Sequence, residues 1–576
     1  MYILGISCYY HDAAATLLKD GVVIAAAEEE RFTRKKHDNA FPLNAIRFCL
    51  AREGITAKDL AFIGFYEKPL VKFERLLFSC LETFPQSFIA FISALPSWLT
   101  EKLRIQKTIR KKLKYKGDII FIPHHLAHAA QFLVSPFERA AVVTVDGVGE
   151  WTTTAWGIGV GTNISLKKEI RFPHSLGLLY STITAYLGFS VNDAEYKVMG
   201  LSAYGNTDPA TNEYYQKLRR LIDVKSDGSF RLDMSYFSYH YTDRMPSKKL
   251  QQLLGGSTRL QDTEITKRHQ DIAAAVQLLY EDIFFKILQH VQKSTGEENL
   301  VLSGGTIQNS VANGKVFQQT QFKNVWVSSN VTDGGTSLGV ASYIYHSVLN
   351  NPRQQALATA FLGPAFSSDA VQLFLDNHHI SYTTFQDRQQ LIDAAVTLLL
   401  DNQVVGWFQG AMEFGPRALG ARSILANPTN PAMQEVLNKK VKHREAFRPF
   451  APVVCTEDAA TYFDVPMPLP AAADFMTMVF PVRSEWRQRL PAITHVDGSA
   501  RVQTLQRQHQ PLLYDVIKAF GVASGVPVLI NTSFNVRGEP IVCTPEDAYR
   551  CLMGTEIDFL VMENFLIKRS DNLLHS

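Results

Sequence analysis

The feature that most constrains this chain is a β-pattern that occurs twice. Near the N-terminus the sequence reads YILGIS, a polar loop CYYHD, AAATLL, the turn KDG, then VVIAAAEEE. Short apolar runs punctuated by an Asp-Gly turn predict strand, loop, strand, turn, strand, which is an antiparallel meander. A second copy opens at Ala140 with AAVVTVD, the loop GVGEW, TTTAWGIGV, the turn GTN and ISLKKEI. Each copy opens a half of similar size, so the pattern predicts an internal duplication with a cleft between the halves.

At 576 residues the chain is too long for a single core, and two or more domains are expected. Beyond the second meander, LGLLYSTITAYLGF reads as a helix and NDAEYKVMGLSAYG as a loop. The segment ITKRHQDIAAAVQLLYEDIFFKILQHVQKSTG reads as a long helix stopped by a glycine. Two strand, glycine-loop, helix units come next, ENLVLSGGTIQNSVANGKV and FKNVWVSSNVTDGGTSLGVASYIYHSV. NNPRQQALATAFLGPAFSS then reads as a linker, and arginine-rich loops alternate with strand-like runs to the end. The boundary is placed near residue 355, giving domains 1–355 and 356–576.

Composition excludes some function classes. A net charge of +3 does not describe a dedicated nucleic-acid binder. Six cysteines without CxxC spacing build neither a zinc ribbon nor a disulfide scaffold, and fit a reducing cytoplasm. The N-terminus lacks the basic and apolar regions of a signal peptide. The apolar stretch PQSFIAFISALPSWL, bracketed by Pro85 and Pro96, is about half a membrane span, so no stable membrane insertion is expected. The basic amphipathic run after it, EKLRIQKTIRKKLKYKGD, reads as a solvated helix face, with an anionic surface or substrate as the alternative.

Candidate chemistry begins at FIPHHLAHAAQ. His124 and His128, at i and i+4, share a helix face and offer two imidazoles to one ion, while His125 points elsewhere. Ordinary helix histidines also occur at this spacing. Asp146 ends the strand AVVTVD and Asp333 opens DGG, both at strand ends beside glycine loops where cleft residues sit. Asp-Gly is also simply a favoured turn. Together the four make a two-His, two-Asp set suited to iron, manganese or zinc rather than calcium. Gly147, Gly304, Gly305, Gly334 and Gly335 come after strands, where a missing side chain lets backbone N–H groups approach phosphates. Tight turns use glycine for geometry as well. These loops resemble those of the actin-like ATPase superfold, which binds ATP between two related halves.

The C-terminal part carries FGPRALGARSILANP, KVKHREAFRPFAP, HVDGSARVQT and LINTSFNVRGEPIV. Arg417, Arg422, Lys442, Arg444, Arg448, Arg501 and Arg537 lie there in turn-like contexts, and convergent guanidinium groups point to a small phosphorylated anion. About half of them are expected to be ordinary surface arginines. NTSFN, with Asn531 and Asn535, adds amides and hydroxyls that orient a small polar ligand.

Over its whole length the sequence resembles a known family. The motifs are HDAAA, EERFTRKKHD, HHLAHAA, VDGVGEW, YKVMGLSAYG, SGGTIQNSVANGK, FGPRALGARSILANP, KHREAFRPFAP and NTSFNVRGEPIVCTPEDA. They are similar to those of the O-carbamoyltransferases of antibiotic and nodulation-factor biosynthesis. The resemblance implies an N-terminal actin-like domain (a duplicated RNase H-like fold) and a C-terminal α+β domain similar to threonylcarbamoyl-AMP synthase. It implies that the C-terminal domain makes carbamoyl-adenylate from carbamoyl phosphate and ATP, with Mg accompanying ATP. The N-terminal domain then hands the carbamoyl group to a hydroxyl of a small natural product or sugar.

Position by position, the resemblance implies that His124, His128, Asp146 and Asp333 hold a divalent metal, Fe(II) first, with Zn or Mn as alternatives. Gly147, Gly304, Gly305, Asn309 and Gly334 fall at the nucleotide loops. His11 and Lys36 fall near the carbamoyl group, and His11 either takes the hydroxyl proton or only orients that group. Arg417, Lys442, Arg448, Arg501, Asn531 and Asn535 fall at the carbamoyl-phosphate and adenylate-forming site.

The chain departs from the family pattern at Thr306-Ile307-Gln308 and Ser202-Ala203-Tyr204-Gly205, which face the nucleotide cleft. The rivals are an actin-fold sugar kinase and a threonylcarbamoyl-type tRNA modification enzyme. The first leaves the histidine pair and the arginine-rich domain unexplained, and the near-neutral charge argues against the second. A homodimer is compatible with this reading.

Overall fold

The computed structural model describes residues 1–354, 356–442, 444–445 and 447–573. Gln355, where sequence composition places the boundary, lies outside the described residues, as do His443 and Ala446 of KVKHREAFRPFAP. Two compact units are present. The first comprises Met1–Ala25 and Asn39–Leu357, the second Ala26–Asp38 and Ala358–Ser576.

In the first unit, β1 (Tyr2–Ser7), β2 (Ala14–Lys19), β3 (Val22–Glu28), β4 (Leu60–Phe65) and β5 (Asp118–Phe121) form a sheet in the order β3-β2-β1-β4-β5. β1 runs antiparallel to β2, with Tyr2 opposite Lys19 and Ser7 opposite Ala14, and parallel to β4; β4 is parallel to β5. The second copy supplies β6 (Arg139–Val145), β7 (Thr152–Val160) and β8 (Asn163–Arg171). After a small hairpin of β9 (Ile222–Val224) and β10 (Phe230–Leu232), β11 (Asn299–Ser303) and β12 (Asn324–Val327) complete a sheet ordered β12-β11-β6-β7-β8. Antiparallel β6/β7 and parallel β6/β11 and β11/β12 repeat the senses of the first sheet. Read from the edge, both sheets run third, second, first, fourth, fifth. This is the duplicated RNase H-like arrangement of the actin-like fold.

The buried apolar runs of β6 and β12 give way to loops, which leaves Asp146 directly after β6 and Asp333 further along the loop that comes after β12. The helix Thr336–Tyr343 that comes after Asp333 is the wedge of this unit. Gly339 lies so close to the segment carrying the histidines that a Cβ there would sit 1.9 Å from the Ala127 carbonyl oxygen. On its other side Ser337 and Thr16 of β2 share a hydroxyl hydrogen bond at 2.8 Å. The long helix Lys267–Thr295 buries Ile272, Val276, Leu279, Ile283 and Ile287 at helical spacing and stops at Gly296, φ 69°. The stretch NDAEYKVMGLSAYG, expected as a loop, instead holds the helix Glu195–Ser202. Its Val198 and Leu201, one turn apart, are both buried, and tertiary packing stabilises a helix too short to stand alone. The helix Phe88–Thr100 likewise runs through Pro96 instead of ending there.

The second unit is built on a mixed sheet. Its strands are β13 (Thr383–Thr384), β14 (Val405–Phe408), β15 (Arg422–Ala426), β16 (Ala451–Cys455), β19 (Gln503–Leu505), β20 (Val528–Ser533), β21 (Phe559–Met562) and β22 (Phe565–Lys568), with a small pair of β17 (Phe480–Pro481) and β18 (Ser499–Ala500) beside it. The order is β13-β22-β21-β14-β15-β20-β16-β19. Helices Arg388–Leu400 and Pro511–Ser524 lay Leu391, Leu399, Val516 and Phe520 over Trp407, Leu425, Leu529 and Val561.

A single cut in the chain does not describe this unit, because it includes Ala26–Asp38. Arg31 donates to the Gly415 carbonyl at 2.8 Å. Arg34 donates to the carbonyls of Ile541 at 2.6 Å and Pro540 at 2.8 Å, and lies 3.3 Å from the Asp547 carboxylate. The EERFTRKKHD motif therefore belongs structurally with the C-terminal residues.

Candidate active site and metal centre

His124 and His128 lie on the short helix His124–Ala129, directly after β5. Its first backbone N–H, that of His124, donates to both carboxylate oxygens of Glu150 at 3.1 Å, which holds the helix start against the loop after β6. His124 Nε2 lies 2.9 Å from Asp146 Oδ2 and 3.8 Å from Asp333 Oδ1. His128 Nε2 lies 4.0 Å from Asp146 Oδ2 and 3.7 Å from Asp333 Oδ1. The four side chains are buried and their donor atoms all lie within 4.8 Å of one another.

Outer contacts aim these groups. Asp146 Oδ1 accepts from the Gly305 N–H at 3.0 Å, leaving Oδ2 turned toward the histidines. Gly305 is placed by Gly304, which admits only glycine: its φ is 104°, and a Cβ there would sit 2.2 Å from the Val145 carbonyl oxygen. His128 Nδ1 meets the Ser303 hydroxyl at 3.2 Å, which leaves Nε2 for the centre. His128 Nε2 and Asp333 Oδ2 are buried without a hydrogen-bond partner. Such groups are costly to leave unmatched.

An ion bound through N and O at about 2.0–2.2 Å holds its donor atoms roughly 3–4 Å apart. The set found here fits that requirement in donor type, spacing and unmet polarity. Electrostatics agree. Burial disfavours a charged His124, but the carboxylates of Asp333 and Asp146 outweigh it and push the ring up to about 9. Burial likewise disfavours ionised Asp146, yet the His124 hydrogen bond and the histidine charges hold its carboxyl well below the usual range. His125 is different: burial and the neighbouring His124 push it down to about 3, and its Nδ1 bonds the Thr144 hydroxyl at 2.7 Å.

The remaining expected residues divide between the two units. In the first unit, His11 Nδ1 lies 2.7 Å from the Asp12 carboxylate and Nε2 2.6 Å from the Asn192 carbonyl oxygen. Gly147, Gly304 and Gly305 flank Asp146, and Gly334 comes directly after Asp333. The Asn309 amide is engaged on both sides: it caps the helix Ser310–Gln319 through the Ala312 N–H at 3.1 Å and pairs with Gln277 at 2.9 and 3.1 Å. Lys36 lies in Ala26–Asp38 of the second unit.

Also in the second unit, Asn531 on β20 is buried and donates to Gln503 Oε1 at 2.6 Å. Gln503 donates in turn to the Leu419 carbonyl at 2.7 Å, beside Arg417. The Lys442 ammonium is buried and contacts the Ser533 carbonyl, the Asn535 carbonyl at 3.0 Å and Asn535 Oδ1 at 3.0 Å. Burial and then Arg444 lower its pKa well below the ordinary lysine value. Arg448 lies 3.8 Å from Glu445, and Arg501 is half-buried. Arg422 is wholly buried, stacks 3.6 Å over Phe408 and donates to the carbonyls of Gln409, Gly410, Ala421 and Pro364. It is an interior brace, not an exposed anion ligand.

Several contributors escaped sequence reasoning. Glu150 holds the backbone at His124, and Ser303 engages the His128 ring. Arg75 donates to the Gly149 carbonyl at 2.9 Å from a helix that reads as unremarkable in sequence. Buried Glu413 accepts from the N–H groups of Leu419, Ala421 and Arg422 at 2.7, 2.7 and 3.2 Å, folding the Arg417 loop around one carboxylate oxygen. The only signal for it was a lone acid inside GAMEFGPRALG.

Comparison with known proteins now places the chain. The family model described as Carbamoyltransferase N-terminus matches residues 2–342, and that described as Carbamoyltransferase C-terminus matches residues 396–569. An uncharacterized protein of Synechocystis sp., sll1178, is 45% identical over 99% of this chain and 97% of its own length. Nodulation protein NolNO of Sinorhizobium fredii is 36% identical over 97% of this chain and 79% of its own. Nodulation protein NolO of Bradyrhizobium diazoefficiens is 35% identical over 77% and 78%. Among solved structures, T. kodakarensis HypF aligns over 61% of this chain and 48% of its own at 14% identity and a TM-score of 0.32, so the fold rests here on strand order. Both parts of the family's architecture are matched in order along one chain, and relatives match it nearly end to end: this protein belongs to the carbamoyltransferase family of enzymes.

Proposed function

We propose that this carbamoyltransferase works through carbamoyl-adenylate and delivers the carbamoyl group to a hydroxyl of a small natural product or sugar. The observation that carries the reading is that one chain holds two different constellations in two units. One is a buried two-His, two-Asp set with unmet polar atoms. The other is an amide and ammonium cradle of Asn531, Gln503, Lys442 and Asn535. A one-step kinase needs no such second constellation.

Atom balance defines the steps. Water cleaves carbamoyl phosphate to carbamate and phosphate; a carbamate oxygen attacks the α-phosphorus of ATP and pyrophosphate leaves. The acceptor hydroxyl oxygen then attacks the carbamoyl carbon, its proton goes to a base, and AMP leaves. In the second unit, Asn531 and Gln503 offer amides that orient a carbamoyl group, and Arg417, Arg448 and Arg501 supply charge for phosphate oxygens. In the first unit His124, His128, Asp146 and Asp333 would hold a divalent ion, Fe(II) or its rivals Zn and Mn. When bound, such an ion would supply positive charge to phosphate oxygens. The Gly304–Gly305 and Gly334–Gly335 loops lie in the same unit, and their missing side chains leave room for a nucleotide to approach the backbone.

Both His11 ring nitrogens are engaged, Nδ1 beside the Asp12 carboxylate and Nε2 beside the Asn192 carbonyl oxygen. His11 is therefore read as orienting the carbamoyl group, with base action requiring release of Asp12 or Asn192. The test is incubation of metal-replete protein with ATP and carbamoyl phosphate, then mass spectrometry. Carbamoyl-adenylate and pyrophosphate are expected. ATP consumption that needs acceptor but no carbamoyl phosphate identifies a kinase instead.

A further inference from the structure

The helical insertion between β4 and β5, which reaches the site only through Arg75 in the contacts described above, has an unusual surface. Nine of the twenty large apolar side chains left exposed among the described residues fall between Leu70 and Leu99. They are clustered in the helices Pro69–Glu82 and Phe88–Thr100 and the turn joining them, with Phe78 and Leu81 on the first, Phe84 at the turn, and Phe88, Ile89 and Ile92 on the second. The two helices pack on each other through Phe73 against Phe91 and Trp98. In the second helix Trp98 alone is buried, and residues 83–100 carry no charge. Lone exposed apolar residues are ordinary, but a clustered face of this size marks an interaction surface.

The adjoining basic segment identifies the occupant of that face. Residues 101–116 hold eight Lys and Arg against one Glu, whereas the whole protein is only +3, so the rest of the chain is net acidic. The helix Ile105–Leu113 buries Ile105 and Ile109 and leaves Arg104, Lys107, Lys111, Lys112, Lys114 and Lys116 exposed on and around it. Lys102 lies 5.0 Å over the Trp98 ring and links the two regions. An uncharged apolar face adjoining a basic stretch has the composition of an interfacial membrane element. By sequence the basic run reads as a solvated face; the apolar side chains exposed beside it change that reading. The helix Phe88–Thr100, with 13 residues, spans about 20 Å and is too short to cross a bilayer core. Among the described residues no helix is long and apolar enough to do so.

We propose that residues 69–116 dock this enzyme peripherally on an anionic lipid bilayer, with Phe84, Phe88 and Ile89 entering the headgroup boundary and Lys107, Lys111 and Lys112 meeting acidic headgroups. A second copy of the chain matches the apolar face but not the basic one, since two like-charged helices repel.

The test uses the full-length protein and extruded vesicles of phosphatidylcholine alone or with about 30% phosphatidylglycerol. Flotation is expected with the anionic vesicles only, weakening as salt is raised. Each lysine near an anionic leaflet contributes about fivefold (~1 kcal/mol), so K107Q/K111Q/K112Q lowers affinity by about a hundredfold. F88S/I89S is expected to abolish flotation, with folding checked by circular dichroism. F84W needs no disruptive change, and its fluorescence is expected to be quenched by brominated lipid. Equal binding to both vesicle types, or no binding and no quenching, overturns the proposal. A concentration-dependent dimer that F88S/I89S dissolves, without vesicle binding, overturns it in favour of self-association.

Discussion

His124 and His128 differ from His125 in what their ring nitrogens face, and that difference is testable one residue at a time. His124→Ala, His128→Ala or Asp333→Asn is expected to abolish stoichiometric metal, measured by plasma mass spectrometry on purified protein. His125→Gln is expected to retain it, because His125 bonds Thr144 and lies outside the set. Ser303→Ala removes only the partner of His128 Nδ1 and is expected to weaken ion affinity by about 10–100-fold. Acidity adds a further check on chelator-treated protein. His124 is raised from 6.5 to about 9 against burial by Asp333 and Asp146. A raised histidine stabilises the fold fully below about 6.5, and that contribution is lost as pH climbs through about 9. The urea midpoint of metal-free protein is therefore expected to fall between those two values.

At the scale of elements, two close approaches hold the candidate sites in shape. The helix Thr336–Tyr343 reaches the histidine segment only because Gly339 lacks a side chain. Gly339→Ala is expected to cost about 1–3 kcal/mol in urea unfolding and to lower metal occupancy as well, since the turn Asp333–Gly335 leads directly into this helix. In the second unit, Glu413 gathers three backbone N–H groups. Glu413→Ala leaves them unmatched and is expected to cost about 3 kcal/mol. Arg417 is exposed to that change through its loop, so adenylate formation is expected to fall in the same variant.

For the whole molecule, the N-terminal segment Ala26–Asp38 that belongs to the second unit makes a prediction that a single domain boundary does not. A fragment starting at Ala358 lacks the arginines that reach Gly415, Pro540 and Ile541. A synthetic peptide of residues 26–38 is expected to bind that fragment and raise its Tm. Substituting both Arg31 and Arg34 by alanine is expected to weaken the peptide roughly tenfold or more by calorimetry. No binding by the native peptide removes the claim.

The repeated meander was legible because a strand's period and an Asp-Gly turn are local signals, and the order of both five-stranded sheets builds on them. His124, His128, Asp146 and Asp333 were legible as candidates for a similar reason: i,i+4 spacing and strand-end position are read directly along the chain. The helix Glu195–Ser202 was not, since eight residues fold there only against a neighbour, and neither was the continuation of Phe88–Thr100 through Pro96. Arg422 looked like its exposed neighbours until burial among four carbonyls distinguished it. By itself the sequence determined the duplication, the family and the short-range geometry of the candidate ligands. Tertiary structure alone decided which polar groups are buried without partners, which glycines are contact points, and that EERFTRKKHD packs with residues several hundred positions away. Burial and long-range hydrogen bonding depend on what lies across space, and no local pattern encodes that.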